Sequence, residues 1–178
     1  MDLTEKVVKT ERIYEGRILS LRRDLVRLPD GKETSREVVE HPGAVAIIAL
    51  DKEKNVYLVR QYRYPVDRVT LEIPAGKLDA GEEPLSCARR ELAEEVGLKA
   101  AAWQQLLTFY TTPGFCDEIM YLFLATGLEC HREEADADEF LEVVRLPLAT
   151  AVAEIFSGTI QDAKSIAGLL IAAHLLEA

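Results

Sequence analysis

The stretch GKLDAGEEPLSCARRELAEEVGL, residues 76 to 98, constrains this chain more than any other, because it brackets one short helix and loads it with acids. Pro84 suits the first turn, where a missing N–H costs nothing, and Gly97 suits the left-handed position after the last turn. A helix over 84–96 follows. Within it Leu85, Ala88, Leu92 and Val96 recur at helical spacing and form the face expected to meet a core. Glu91, Glu94 and Glu95 stand at i, i+3 and i+4, which gathers their carboxylates in one arc beside that face. Like charges so placed repel by about 0.2–0.5 kcal/mol per pair. Near a helix C-terminus each loses roughly a further 0.3–1 kcal/mol against the macrodipole. Helix stability alone would favour lysines here, so something must compensate.

Two arrangements can do so. One is a solvated acidic face, relieved by Arg90 pairing with Glu94 at i+4. The other is a bound divalent cation, since hard ions such as Mg²⁺ take oxygen ligands and Glu91 and Glu95 border the buried face. The Gly-containing loop ahead of the helix can supply backbone carbonyls to a metal and N–H groups to a phosphate.

The rest of the chain reads as strands around this helix. ILSLRRDLVRL (18–28), the turn PDGK and REVVEH form a hairpin-like N-terminal unit. GAVAIIALD and NVYLVRQYRY form a second hairpin across the polar KEK, the first strand being apolar enough to be central. VTLEIPAG is a short strand that Pro74 and Gly76 should end. Further strands are expected in WQQLLTFYT, EIMYLFLATGL and EFLEVVRLP, and helices in LATAVAEIFSG and AKSIAGLLIAAHLLEA. Strands and helices do not alternate regularly, so the fold class is α+β with a mixed sheet. The expected division is an N-terminal β-strand unit at 1–42 and a main domain at 43–178.

A formal charge of −10 argues against a nonspecific grip on nucleic acid or anionic membrane, while leaving room for a local basic pocket. The N-terminus lacks a signal-peptide layout and no apolar run approaches about 20 residues, so a cytoplasmic location is expected. Cys87, Cys116 and Cys130 form no CxxC pair and are expected to be buried or half-buried thiols. His41, His131 and His174 are scattered singly.

The spacing of the 76–98 stretch is similar to the Nudix box, G-x5-E-x7-R-E-U-x-E-E-x-G-U with U aliphatic. It matches at Gly76, Glu82, Arg90, Glu91, Leu92, Glu94, Glu95, Gly97 and Leu98. The resemblance implies an α/β/α sandwich that binds Mg²⁺ or Mn²⁺ and hydrolyses a nucleoside diphosphate linked to another group. It also implies Glu91 and Glu95 as principal metal ligands, Glu82 and Glu94 as their assistants, and Arg90 as the residue that orients a glutamate.

Outside the box, TTPGF with Pro113, RQYRYP (60–65) before LEIPAG, and SREVVEHPGAV (35–45) resemble the ADP-ribose pyrophosphatase branch, over roughly residues 12 to 160. That implies a metal contact from the Ala75 carbonyl. Arg63 would lie at the diphosphate or terminal ribose, Arg36 and Glu37 at adenine, and Tyr14 is a candidate to stack on the base. A catalytic base is expected in HREEADADEF, at Asp136, Asp138 or Glu139, with Glu133 and Glu134 as outside candidates. Relatives in the branch are homodimers whose N-terminal strands complete the adenine pocket, so a homodimer is implied. The expected reaction is metal-dependent cleavage of ADP-ribose to AMP and ribose 5-phosphate. The alternatives are another sugar nucleotide, dinucleotide or nucleoside triphosphate as substrate, or a noncatalytic ADP-ribose-binding module.

Overall fold

Backbone pairing organises the N-terminal segment, where few side chains are buried. The computed structural model describes residues 2–131 and 140–177. It divides into two compact units, one of Met1–Gly43 with Tyr110–Ile119 and the other of Ala44–Phe109 with Met120–Ala178.

In the first unit β1 (Lys6–Glu15), β2 (Ser20–Arg27) and β3 (Glu33–Glu40) form an antiparallel sheet in the order β1-β2-β3. Gly31, at φ 89°, closes the β2–β3 turn by donating its N–H to Leu28 O at 2.9 Å. The expected hairpin is therefore a three-stranded sheet. Strand β1 escaped the sequence reading because all ten of its residues are exposed, leaving no alternation of burial. Pairing with β2 holds it, helped by ion pairs from Arg23 to Glu11 (2.7 Å) and from Arg12 to Glu40. The segment 110–119 joins this unit where Val39 N–H reaches Phe115 O (2.8 Å) and Asp117 N–H reaches Val39 O (3.1 Å).

The second unit comprises β4 (Ala44–Leu50), β5 (Asn55–Arg63), β6 (Arg68–Glu72), β7 (Ala75–Lys77), α1 (Pro84–Val96), β8 (Leu98–Tyr110), β9 (Ile119–Cys130), β10 (Leu141–Pro147), α2 (Leu148–Ser157) and α3 (Ala163–Glu177). The main sheet order is β10-β5-β4-β9-β8, with β6 added to β5 and β7 to β4. Strands β4 and β9 run parallel, whereas β4–β5, β5–β10, β5–β6 and β4–β7 are antiparallel, which makes the sheet mixed.

Strand β4 shows why the unit is a sandwich: it is buried along its whole length, and its period of two sends alternate residues to opposite faces. Val45, Ile47 and Ala49 join Cys87, Ala88 and Leu92 of α1 in one core. Ala46, Ile48 and Leu50 join Leu148 of α2 and Leu169 of α3 in the other. Each fully buried leucine or isoleucine adds about 1.5–3 kcal/mol. Helix α3 seats closely because Gly168 has no side chain, since a Cβ there would fall 2.7 Å from Ile48 Cδ1 and 3.1 Å from Ile73 Cδ1.

Two local expectations need correction. Pro74 does interrupt the VTLEIPAG strand, but Gly76 does not end it, because Ala75–Lys77 resumes as β7 alongside β4. Cys87 is buried and Cys116 half-buried, yet Cys130 is exposed at the end of β9. Among the described residues no helix is long and apolar enough to cross a membrane.

Candidate functional site

Helix α1 ends as its sequence requires, with Gly97 at φ 68° donating its N–H to Ala93 O at 3.0 Å. The turn that buries Ala88 and Leu92 carries Glu91 and Glu95 inward as well, leaving them 8% and 5% exposed. Carboxylates so buried need partners. Glu95 Oε2 accepts the Ala75 N–H at 2.9 Å, which ties the end of α1 to the start of β7.

Arg90 serves the others. Its Nε and Nη2 grip both oxygens of Glu82 at 3.1 and 3.0 Å, while Nη1 reaches Glu91 Oε1 at 2.7 Å and Glu94 Oε2 at 3.0 Å. The Glu82 carboxyl, which also accepts the Asp79 N–H at 3.0 Å, is held down at about 2, chiefly by the hydrogen bond from Arg90. The same contact raises the pKa of Arg90. Burial instead pushes the neighbouring Cys87 thiol up to about 12, which keeps it protonated. The i+4 pair of Arg90 with Glu94 is thus present, but as one arm of a cation shared among three carboxylates.

Gly76 sets how closely the loop approaches the helix. A Cβ built on it would fall within the Glu91 carboxylate, so any side chain would displace that group. Glycine is required here for close approach, not for an unusual φ.

The donor chemistry fits a hard divalent cation. Three glutamates share one arginine and a fourth, Glu95, is buried beside them, the donors are all oxygen, and the Ala75 carbonyl lies in the strand whose N–H binds Glu95. Among the described residues no three His, Cys, Asp or Glu side chains are gathered as a ready ligand set. Arg90 and the Ala75 N–H engage one oxygen each of Glu91, Glu94 and Glu95.

A second ionic cluster has the opposite balance. Glu72, at the end of β6, is only 3% exposed. Its Oε1 accepts from Arg63 Nε (3.0 Å) and Thr70 Oγ1 (2.6 Å), and its Oε2 from Arg63 Nη2 (2.7 Å) and Lys164 Nζ. Burial pushes this carboxyl up, but the bonds from Arg63, Lys164 and Thr70 outweigh it and hold the group at about 2. Arg63, Arg68, Thr70, Glu72, Gln161 and Lys164 line part of a cavity of about 700 Å³.

The structure therefore brings together Glu82, Arg90, Glu91, Glu94, Glu95 and Ala75, and places Arg63 in the Glu72 cluster. Four of the remaining candidates belong to the first unit. Arg36, exposed on β3, forks onto Glu5 at 3.0 and 2.7 Å. Glu37 is exposed opposite Arg23, and Tyr14 is exposed on β1 with its ring over Gly16. Pro113 is exposed in the turn where the Phe115 and Cys116 N–H groups reach Thr112 O. Asp136, Asp138 and Glu139, with Glu133 and Glu134, lie outside the described residues.

The sequence reading missed Glu72 and Lys164. Both left a signal: Glu72 is the one acid inside the apolar run VTLEIP, and Lys164 the one lysine of a helix otherwise nearly all apolar.

Comparison with known proteins gives the family. A family model described as "NUDIX domain" matches residues 40–169, and one described as "Nucleoside diphosphate sugar hydrolase N-terminal domain" matches residues 5–39. The chain is 44% identical to a "Methanol dehydrogenase activator" of Bacillus methanolicus over 164 residues, covering 91% of this chain and 89% of that protein. It is 45% identical to an "ADP-ribose pyrophosphatase" of Bacillus subtilis over 165 residues, covering 92% of this chain and 89% of that one. A crystal structure titled "ADP compounds hydrolase" superposes with a TM-score of 0.88, covering 99% of this chain and 97% of the other at 23% identity, and so shares the fold.

Proposed function

The chain belongs to the Nudix family and is a Nudix pyrophosphohydrolase, and we propose that its substrate is ADP-ribose, which it splits with water to AMP and ribose 5-phosphate. The observation that carries the chemistry is the cluster in which Glu82, Glu91 and Glu94 share Arg90 while the buried Glu95 beside them is held by the Ala75 N–H. The choice of substrate is supported by the likeness to the Bacillus subtilis ADP-ribose pyrophosphatase over nearly the whole chain.

Nudix hydrolases generally need divalent metal ions. In this reading Glu91, Glu95 and the Ala75 carbonyl would hold Mg²⁺ or Mn²⁺, assisted by Glu82 and Glu94. When bound, such an ion screens the pyrophosphate and makes a water more acidic. Arg90 keeps its three carboxylates in register. Arg63 offers a phosphate oxygen the N–H groups of Nη1, which Glu72 leaves unused. A carboxylate among Asp136, Asp138 and Glu139 accepts the proton of the attacking water. That water adds to one phosphorus, the bridging oxygen leaves with the other, and the two phosphomonoesters separate. Arg36, Glu37 and Tyr14 on the N-terminal strands, with Pro113, supply substrate recognition within a cytoplasmic homodimer.

Phosphorus NMR of ADP-ribose, GDP-mannose, FAD, NADH and dGTP incubated with protein and Mg²⁺ tests this reading, with a chelated control. The expected result is AMP and ribose 5-phosphate, formed fastest from ADP-ribose and only with metal. Faster cleavage of another compound would overturn the substrate, and binding of ADP-ribose without cleavage would make the chain a sensor.

A further inference from the structure

The Glu72 cluster holds two observations that the proposed chemistry does not use. Glu72 is almost fully enclosed, yet it spends all its acceptor capacity on Arg63, Thr70 and Lys164. Lys164, on the first turn of α3, is itself 11% exposed and divides its ammonium between Glu72 and Asp162, the latter at 2.9 Å. Asp162 in turn accepts the Ser165 N–H at 3.0 Å and the Ser165 Oγ–H at 2.5 Å, and Ser165 Oγ receives the Ile73 N–H at 2.8 Å. The start of α3 is thereby stitched to two consecutive residues, Glu72 and Ile73, just ahead of the Ala75 that binds Glu95.

The consequence falls on Arg63. A guanidinium on a long side chain has many rotamers, and fixing them in advance removes an ordering cost from ligand binding. The fork to Glu72 uses Nε and Nη2, and among the described residues Nη1 has no hydrogen bond of its own. Arg63 keeps 40% of its side-chain surface, lines the cavity of about 700 Å³, and also feels the Glu95 and Asp162 carboxylates. Arg63, Arg68 and Lys164 against Glu72 and Asp162 leave one net positive charge on the lining, in a chain whose formal charge is −10. A basic cavity in an acidic protein suits an anion.

We propose that Glu72 and Lys164 are positioning residues, which lock the Arg63 guanidinium over this cavity so that Nη1 receives a phosphate oxygen of the sugar-phosphate half of the substrate. The idea rests on the proposed function for the identity of that substrate. Neither residue touches the reacting atoms, and each acts through Arg63. Lys164 fixes Glu72, and Glu72 fixes the fork.

A double-mutant cycle tests this, using Arg63→Met, Lys164→Met and the pair together, with thermal midpoints recorded for each. Lys164→Met should raise KM for ADP-ribose roughly tenfold and lower kcat less than about threefold, because ground state and transition state lose the same contact. Arg63→Met should raise KM at least as much, and the pair no more than Arg63→Met alone. Lys164→Arg, which keeps charge and donors, should restore most of the loss. Equal KM effects of Lys164→Met with and without Arg63 would mean that Lys164 binds substrate directly, and would overturn the proposal. A fall in kcat and thermal midpoint at unchanged KM would do the same, by leaving Lys164 only a structural role. Calorimetric titration of ribose 5-phosphate through the same cycle reads the positioning effect without turnover. If the wild type cleaves no ADP-ribose, the functional reading fails while the cycle still decides the positioning claim.

Discussion

Two ionic clusters in the second unit use the same residue types in opposite proportion. In one, Arg90 is shared among Glu82, Glu91 and Glu94, with Glu95 close at hand on the same helix. In the other, Glu72 is shared between Arg63 and Lys164. The first is left with surplus negative charge, while the second, balanced by Asp162 on Lys164, gains one net positive charge only with Arg68 on the same cavity lining, so under the proposed function one would take a metal cation and the other a phosphate. Under the proposed function, complementarity to a metal–pyrophosphate substrate would come from the ratio of charges, not from residue type. Gly76 adds geometry to the first, by letting the loop approach the Glu91 carboxylate more closely than any side chain would allow.

The comparison breaks most visibly at the buried glutamates. Glu95→Gln keeps an acceptor for the Ala75 N–H but removes the charge. Activity should fall by about 10²–10³-fold, the scale for losing one preorganised electrostatic group, with the apo thermal midpoint unchanged or raised. Steady-state rates and a melting curve check both halves, and full activity would remove Glu95 from the site. Gly76→Ala should come next, with a loss of about 10–100-fold because Glu91 is pushed aside. Overpacking there should also cost roughly 1–3 kcal/mol in urea denaturation.

Arg90→Met sharpens the contrast through stability. Removing the shared cation leaves carboxylates facing one another, at a cost of roughly 2–3 kcal/mol given partial exposure. Millimolar Mg²⁺ should return part of that, about 1 kcal/mol, because a metal ion can replace the lost positive charge. Lys164→Met should show less recovery, since Glu72 keeps its fork from Arg63 and only Asp162 loses its cation. Equal recovery in both variants, measured by urea midpoints with and without Mg²⁺, would erase the distinction.

A further expected effect is on acid stability. The Glu72 and Glu82 carboxyls lie at about 2 in place of an ordinary 4.5. A carboxyl depressed on folding contributes its stability in full above the unfolded value, and loses it as pH falls through the folded value. Urea midpoints should therefore decline between about pH 4.5 and pH 2. Glu72→Gln should make that decline shallower by removing one of the two carboxyls, and an unchanged slope would mean that Glu72 is not held ionised in the fold.

Much of this was legible in the chain. Helix α1 lies at 84–96 as Pro84 and Gly97 required, with Ala88 and Leu92 in the core. The box glutamates and Arg90 come together because helical spacing alone gathers most of them. Strand β1 was hidden because its side chains stay exposed and backbone pairing does the holding. The Arg63–Glu72–Lys164 cluster was hidden for a different reason. Its members come from β5, β6 and α3, and no local period links positions 63, 72 and 164. Only Glu72 and Lys164, as lone charges in apolar runs, marked places where the fold had to supply a partner.

The most direct test is a Mn²⁺ titration followed by electron paramagnetic resonance, on the wild type, Glu95→Gln and Glu72→Gln. Glu95→Gln should lose the bound-ion signal, while Glu72→Gln should keep it with near wild-type affinity. Retention of that signal in Glu95→Gln, or its loss in Glu72→Gln, would contradict the assignment of the cation to the acidic helix.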